Sequence, residues 1–166
     1  MIISEVLISK AEICVKRLRE DGLIISFAES CTGGILSYLF SIIPGVSGVF
    51  DCAIVAYSNG AKNHFLGLTP EYVKTYGIVS KEVAAKMAEG VIRERQVDIA
   101  ISTTGVAGKR TQYGGTEIGN EEQVGTVFIG KARKNQHTTT KLLSLGDMPR
   151  YAIQQRAAEA ALDLII

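Results

Sequence analysis

The sequence predicts an α/β fold in which a mixed sheet of five strands is covered by helices on both faces. Short apolar runs alternate along the chain with segments whose apolar residues recur every three to four positions, the pattern of strands interleaved with helices. Near the carboxyl end, only the polar turn 133–136 separates two apolar runs, and so short a link joins antiparallel strands. Helices separate the first three strands, and the short link makes at least one later strand antiparallel, so we expect a mixed sheet.

Size and composition indicate one globular domain over residues 1–166. The chain is 46% hydrophobic, enough for one core, and its 18 Lys and Arg residues balance 17 Asp and Glu residues to a net charge of +1. This balance disfavours a nucleic-acid partner, and no apolar stretch reaches the ~18 residues that a membrane span needs. No signal-peptide pattern precedes the first helix, so we expect a cytoplasmic protein.

The cysteines and histidines form neither a disulfide pattern nor a metal-binding pattern. Cys14, Cys31 and Cys52 are an odd number without CxxC spacing, which is typical of reduced thiols. His64 and His137 are far apart in the sequence and have no neighbouring ligands. We therefore expect no zinc or other metal site.

The amino-terminal part of the chain predicts a helix, a strand and a second helix. Residues 4–21 carry an apolar stripe at helical spacing and end at Gly22, a natural stop. The apolar run 23–28 predicts the first strand, and residues 34–43 predict the second helix. The segment 44–48 contains proline and glycine and predicts a loop.

The second strand is predicted over residues 51–57. Its apolar run is continuous, which indicates a strand that is buried on both faces. Ser58 is a suitable N-cap for the short helix that follows, and Gly67 ends that helix.

Two further helices and a strand are predicted in the middle of the chain. Thr69 and Pro70 are an N-cap and a first helical residue, and this helix ends at Gly77. Ser80 caps the next helix, whose apolar residues recur at helical spacing. Residues 98–103 predict the third buried strand.

The carboxyl-terminal part predicts two strands and a closing helix. A polar, glycine-containing segment, 109–122, is too polar for the core and long enough to be a functional or mobile loop. The segments 124–132 and 138–145 predict neighbouring strands. Residues 149–166 have an amphipathic pattern and predict the last helix.

Polar groups follow the first three predicted strands at the point where each strand ends. Ser30 follows the first strand, Tyr57 and Lys62 follow the second, and Thr104 follows the third. Sites in open α/β sheets lie outside the carboxyl ends of the strands, so we expect these residues to share a crevice. No histidine lies near Ser30, which leaves Lys62 as the available base, provided that desolvation lowers its pKa from ~10.4 towards ~7–8.

Simpler interpretations stay open at this point for each candidate. Ser30 or Thr32 could be an ordinary N-cap beside freely turning glycines, rather than part of a helix start whose free N–H groups face a ligand. Lys62 could be a solvated surface residue. Cys31 could be the nucleophile instead of Ser30, or simply a buried thiol. Glu29 could be a general acid or a helix cap. Tyr57 could be a half-buried packing residue. Arg150 could bind a phosphate or pair with an acidic side chain.

Seven short motifs run through nearly the whole chain in a fixed order. They are AESCTGG at 28–34, PGVS at 44–47, VAYSNGAK at 55–62, GIVS at 77–80, MAEG at 87–90, TGVAG at 104–108 and VGTV at 124–127. In these motifs and their order the chain resembles the CinA C-terminal domain family, whose characterised members are nicotinamide mononucleotide deamidases. The resemblance implies a three-layer α/β/α sandwich with a mixed sheet of about five strands.

The resemblance also implies an activity and a set of partners. The expected reaction hydrolyses the carboxamide of nicotinamide mononucleotide to the acid and releases ammonia, without a metal or organic cofactor. The expected partner is thus a small-molecule nucleotide. The chain would be a stand-alone copy of the domain, and its apolar helix faces make a homo-oligomer a reasonable expectation.

By the resemblance, Ser30 matches the serine proposed as the nucleophile, and Lys62 the lysine proposed as its base. We place Tyr57 with this catalytic pair. Backbone N–H groups near Thr32 and Gly33, with hydroxyl groups such as that of Ser47, would hold the oxyanion. The expected substrate-binding residues are Thr32, Gly33, Ser47, Thr104, Gly105 and Arg150.

One departure from the family pattern bears on the substrate. The family usually continues the TGVAG-like motif with proline and a run of glycines, whereas here Gly108 is followed by Lys109 and Arg110. These cations could change or replace the phosphate and ribose contacts. Two other hypotheses therefore stay open: a non-catalytic nucleotide-binding or interaction module of the competence type, and hydrolysis of a different amide.

Overall fold

The computed structural model describes residues 3–108 and 123–166, and the predicted loop 109–122, with Lys109 and Arg110, lies outside this part. The elements follow the predicted order. The helices are α1 (Glu5–Asp21), α2 (Ile35–Ser41), α3 (Asn59–Leu66), α4 (Pro70–Tyr76), α5 (Lys81–Arg95) and α6 (Arg150–Asp163). The strands are β1 (Ile25–Glu29), β2 (Phe50–Val55), β3 (Ile99–Gly105), β4 (Thr126–Arg133) and β5 (Thr139–Ser144).

The strands form one mixed sheet in the order β2-β1-β3-β4-β5. The central strand β1 is parallel to both β2 and β3, whereas β4 is antiparallel to β3 and to β5. The prediction of a mixed five-stranded sheet is therefore confirmed. Because β1, β2 and β3 run the same way, their carboxyl ends meet at one edge of the sheet.

Helices cover both faces of the sheet and create two apolar cores. On one face α1, α2 and α6 pack together, with Phe27 of β1 against Phe40 of α2 at a ring-centroid distance of 4.8 Å. On the other face α5 lies across the sheet with α3 and α4 beside it. The result is the expected three-layer arrangement. In the part of the chain that is described, no helix is both long enough and apolar enough to cross a bilayer.

The prediction that the second strand is buried on both faces is wrong. β2 is an edge strand that pairs only with β1, and its residues are half-buried or exposed; Val55 is 47% exposed. The apolar run was a poor guide because burial of a strand depends on its place in the sheet order, which sequence pattern alone does not reveal. β2 also ends at Val55, so Tyr57 lies in the loop between β2 and α3.

Local start signals placed α3 as predicted. The Ser58 hydroxyl accepts a hydrogen bond from the Ala61 N–H at 3.1 Å, and Gly67 takes the left-handed conformation that ends the helix. This helix begins directly beyond the end of β2. It therefore carries Lys62, in its first turn, towards the edge where the parallel strands end.

Candidate active site

A cavity of about 590 Å³ opens at the carboxyl ends of the three parallel strands. Its volume is in the range typical of small-molecule sites. No cluster of three or more His, Cys, Asp or Glu side chains in the described residues could hold a metal ion. Of the predicted catalytic and substrate-binding residues, those that line this cavity are Ser30, Tyr57, Lys62, Thr104, Gly105 and Arg150.

The closest pair in this cavity is Lys62 and Ser30. The Lys62 ammonium nitrogen donates a hydrogen bond to the Ser30 hydroxyl oxygen at 3.0 Å, although the two residues are 32 positions apart. Their exposed fractions are only 2% for Lys62 and 8% for Ser30. The strand end and the first turn of α3 thus bring a hydroxyl and an amine together away from bulk water.

Burial changes the acid–base behaviour of this lysine. Desolvation disfavours the charged ammonium and lowers the pKa of Lys62 to about 8. No carboxylate in the described residues forms an ion pair with it that would restore the charge. With this pKa, about a tenth of the amine is neutral at pH 7 and able to accept a proton.

Glu29 fixes the turn that carries Ser30. The buried carboxylate accepts backbone N–H bonds from Gly34 at 3.0 Å, Leu36 at 3.1 Å and Ser37 at 2.8 Å. It also accepts the hydroxyl proton of Thr32 at 2.8 Å. Glu29 therefore acts as a helix cap, and its carboxylate occupies the N–H groups of Gly34, Leu36 and Ser37 at the start of α2.

A chain of buried hydroxyl groups supports the same turn. The Thr32 and Thr103 hydroxyl oxygens lie 2.8 Å apart, and the Ser30 N–H donates to the Thr103 carbonyl at 3.0 Å. Thr32 does not line the cavity, because its side chain is engaged in this network. Gly33 is exposed, does not line the cavity, and donates its N–H to the Ser30 carbonyl. The structure thus gives both residues a place in the turn, and neither the Thr32 side chain nor Gly33 lines the cavity.

Some of the donors expected for an oxyanion are already engaged. The Thr104 hydroxyl donates to the Ile78 carbonyl at 3.0 Å, so its single proton is already engaged. The N–H groups of Cys31 and Thr32 directly follow Ser30, and in residues 3–108 and 123–166 neither donates to the backbone carbonyl of another residue. These two backbone donors are the candidates for binding a negative oxygen next to Ser30.

Tyr57 and Arg150 meet at the mouth of the cavity. The Arg150 guanidinium, on the first residue of α6, donates a hydrogen bond to the Tyr57 hydroxyl, and both side chains are exposed. The Tyr57 hydroxyl therefore pairs with the cation and not with Ser30 or Lys62. Tyr57 was placed with the catalytic pair, and this geometry favours a role in binding.

Ser47 is not brought to this cavity. It lies in the short 3₁₀ turn Val46–Gly48, which precedes β2, whereas the cavity lies beyond the end of β2. The neighbouring Val49 carbonyl pairs with the Ile25 N–H at the start of β1, which places the turn at the opposite end of the sheet. Within one chain, Ser47 is therefore remote from Ser30.

Cys31 lines the cavity beside Ser30, but its environment disfavours a thiolate. The side chain is almost fully buried, and this burial raises the pKa of the thiol to about 12. A protonated thiol is a weak nucleophile. Of the two adjacent candidates, Ser30 is the one with a base in hydrogen-bond contact.

Sequence reasoning missed Gln154. Its side-chain amide, on α6, donates to the Cys31 carbonyl at 3.0 Å. A signal was available, since Gln154 lies four residues after Arg150 and therefore on the same face of the predicted helix. Nothing in the sequence indicated that this face would meet the Ser30 turn.

Comparisons with known proteins agree with this architecture. A family model described as the CinA C-terminal domain matches residues 8–166. A competence-damage inducible protein of Caldicellulosiruptor saccharolyticus is 44% identical over 154 residues, covering 93% of this chain and 36% of that protein. A CinA-like protein of Kosmotoga olearia is 44% identical over 157 residues, covering 95% and 36%.

A solved structure is similar over nearly the full length of both chains. The competence/damage inducible protein CihA from Agrobacterium tumefaciens superposes with a TM-score of 0.88 at 30% identity, covering 99% of this chain and 96% of that chain. By contrast, the chain spans only about a third of the length of the curated relatives, 36% in both cases above. The family model and these relatives together show that the chain belongs to the CinA C-terminal domain family.

Proposed function

We propose that this chain is an amidohydrolase that converts nicotinamide mononucleotide into nicotinate mononucleotide and ammonia. The observation that carries the proposal is the buried 3.0 Å hydrogen bond between Lys62 and Ser30, with the pKa of Lys62 lowered to about 8. A serine with an adjacent neutral amine is an activated nucleophile. The family resemblance suggests the substrate, and the names of the relatives, which refer to competence and damage, are silent on it.

The first half of the reaction forms an ester on Ser30. The neutral amine of Lys62 accepts the Ser30 hydroxyl proton as the oxygen attacks the carboxamide carbon. The N–H groups of Cys31 and Thr32 stabilise the resulting oxyanion. Lys62 then returns the proton to the leaving nitrogen, the C–N bond breaks, and ammonia leaves an acyl ester on Ser30.

The second half of the reaction regenerates the serine. A water molecule attacks the ester carbon while Lys62 accepts one of its protons. The C–O bond to Ser30 breaks, Lys62 returns the proton to the serine oxygen, and the carboxylic acid leaves as the carboxylate. Each proton that Lys62 accepts is therefore returned within the same half-reaction.

Arg150 and Tyr57 suit the other end of the substrate. The guanidinium of Arg150 lines the same cavity as Ser30 and is exposed at its mouth. Guanidinium groups bind phosphate through paired, charge-assisted hydrogen bonds. On binding, the phosphate would lose hydrating water molecules and form hydrogen bonds to Arg150, with the Tyr57 hydroxyl beside it.

The test is ammonia release from nicotinamide mononucleotide by purified protein. We expect Ser30→Ala to lower kcat by about 10³-fold or more, as loss of a nucleophile does in serine hydrolases. Ser41→Ala is the matched control, because Ser41 lies at the far end of α2 and bonds only to the Tyr38 carbonyl in the described residues. Full activity in Ser30→Ala would refute the mechanism.

The same assay separates the remaining hypotheses. An inactive wild-type protein that binds the mononucleotide in calorimetry would support a non-catalytic nucleotide-binding module. Turnover of other amides in a small panel, without turnover of the mononucleotide, would retain the mechanism and replace the substrate.

For the proposed reaction, kcat should rise with pH and level off above about 8, because the neutral form of Lys62 is the reactive one.

A further inference from the structure

Gln154 joins the turn that carries Ser30 to helix α6. Its amide nitrogen donates to the carbonyl oxygen of Cys31, the residue after Ser30, at 3.0 Å. The Gln154 amide also lies next to Gly33, since a Cβ atom added to Gly33 would be 3.6 Å from the same nitrogen. The side chain is half-buried between the helix and the turn.

The same helix carries the cation at the mouth of the cavity. Arg150 is the first residue of α6, and Gln154 follows four positions later, so the two side chains lie on one face about 6 Å apart along the axis. One rigid element therefore holds both the guanidinium and the link to the nucleophile turn. Its position determines how far the guanidinium lies from the Ser30 hydroxyl.

The turn does not depend on Gln154 for its own shape. Glu29 ties it to α2, Thr32 and Thr103 support it from below, and the Ser30 N–H pairs with β3. The Gln154 bond adds only the link to α6. Loss of that bond should leave the fold intact, because α6 stays packed in the core with α1 and α2, and should loosen the contact between the turn and the first turns of α6.

We propose that Gln154 is a positioning residue that fixes the distance between Ser30 and Arg150, and that it thereby couples hydrolysis to an anionic group on the substrate. This inference rests on the proposed function. An anion bound to Arg150 places the amide carbon over the Ser30 oxygen only while α6 and the turn are held together. Without the bond, the anion still binds, but the carbonyl group is misaligned.

The first experiment compares two substrates that differ only in the anion. Gln154→Met keeps the side-chain length and removes the donor. For nicotinamide mononucleotide we expect kcat to fall about tenfold with little change in KM, because misplacement of a bound substrate costs rate and not affinity. For nicotinamide riboside, which lacks the phosphate, kcat/KM should change less than about twofold, since Arg150 does not anchor it.

Gln136→Met is the matched control, because Gln136 lies in the turn between β4 and β5, outside the cavity lining. This substitution should leave kcat and KM unchanged for both substrates. An equal fall for the mononucleotide and the riboside in Gln154→Met would mean a merely structural role and would overturn the inference. Unchanged kcat for the mononucleotide would also overturn it.

A second experiment does not need turnover. Cys31 and Cys14 are both buried, so iodoacetamide should label them slowly in the native protein, and mass spectrometry resolves each cysteine. In Gln154→Met we expect labelling of Cys31 to become about fivefold faster, as expected for the loss of the one hydrogen bond that closes α6 over Cys31. Labelling of Cys14, which lies under α6 with its thiol on the Leu162 carbonyl, should not change.

The two experiments fail in different ways. An unchanged rate of Cys31 labelling would overturn the proposed role of Gln154 in linking α6 to the Ser30 turn. An equal rise in the rate of Cys14 labelling would show general loosening of the fold and would overturn it as well. A wild-type protein that hydrolyses neither substrate would refute the proposed function alone. The labelling would then still decide whether Gln154 holds the Ser30 turn.

Discussion

At the scale of single residues, Lys62 should destabilise the fold while it serves the chemistry. Its pKa is about 8 in the folded protein and returns to 10.5, the ordinary value, on unfolding. Between these values the unfolded chain holds a proton that the folded chain has lost, so stability rises with pH in this window. At about 1.4 kcal/mol for each pKa unit, the effect is on the order of 3 kcal/mol.

Lys62→Met should therefore be inactive and, at pH 7, more stable than the wild type. Its advantage in free energy of unfolding should shrink from pH 8 upwards and vanish near pH 10.5, because the buried amine is then neutral in both states. Urea denaturation at pH 7 and pH 10 measures this. Lys74→Met, on the exposed surface of α4, is the control and should show no such dependence. A constant difference across pH would contradict the assignment.

Glu29 should act on the geometry of the nucleophile turn. Both Glu29 oxygens accept hydrogen bonds from backbone N–H groups. In Glu29→Gln an NH₂ group replaces one of these oxygens and faces an N–H donor, so at least one of the hydrogen bonds is lost. We expect a loss of about 1–3 kcal/mol in the free energy of unfolding together with a lower kcat. Thermal melts and ammonia release measure the two effects.

The control for this change is Glu12→Gln on the exposed surface of α1. The same chemical substitution there should alter neither quantity by a measurable amount. Unaltered kcat in Glu29→Gln would show that the turn keeps its geometry without the carboxylate. The role assigned to Glu29 as the anchor of Ser30 would then be wrong.

At the scale of elements, the close approach of β3 and β4 shapes one wall of the cavity. A Cβ atom added to Gly105 would lie 2.7 Å from the Thr126 carbonyl oxygen and 2.7 Å from the Val127 side chain. Gly105→Ala should force the end of β3 away from β4 and cost about 1–3 kcal/mol, as overpacking does. Because Gly105 lines the cavity, kcat/KM should fall as well.

Urea denaturation and the ammonia assay test this prediction. Gly48→Ala is the matched control, since a Cβ atom there would meet nothing within 4 Å. It should change stability by less than about 0.5 kcal/mol, the usual range for a surface position. Equal effects of the two substitutions would show that the contact between β3 and β4 is not the cause.

At the scale of the whole molecule, the aromatic cluster beneath α2 should carry much of the stability. Phe40 is fully buried and packs against Phe27 and Phe50 at ring-centroid distances of 4.8 Å and 5.7 Å. Phe40→Ala should cost about 3–5 kcal/mol in the free energy of unfolding, because it removes buried area and leaves a cavity. Chemical denaturation measures this loss.

Phe65→Ala provides the comparison, because Phe65 is half exposed on α3 and contacts His64. Its loss should cost about 1 kcal/mol or less. A similar cost for both phenylalanines would contradict the view that the core on the α2 side stabilises the sheet. The pH dependence of activity should be the same in both variants, since neither residue lines the cavity.

The elements were predictable because their signals are local. Ser58, Thr69 and Ser80 each accept a hydrogen bond from an N–H three residues on, as N-caps do, and Gly22 and Gly67 end their helices in the left-handed conformation. The turn between β4 and β5 likewise follows from its length and polarity. Each signal acts within a few residues of itself, so a single sequence suffices.

The candidate site was predictable only in part. Ser30, Lys62 and Thr104 could be placed together because parallel strands end at one edge of the sheet. Three features could not be predicted, because each depends on which distant segments meet. They are the edge position of β2, the remote position of Ser47 and the engaged hydroxyl proton of Thr104. Gln154 was missed for the same reason.

The order of helices and strands, the family, and the two groups that could carry the chemistry follow from the order of the amino acids. The burial of the Lys62 amine against the Ser30 hydroxyl, and the hydrogen bonds from the first N–H groups of α2 to Glu29, became visible only in the folded chain. The difference lies in the range of the interactions. Caps and turns act within a few residues, whereas desolvation and hydrogen bonds across the fold depend on neighbours that chain order does not name.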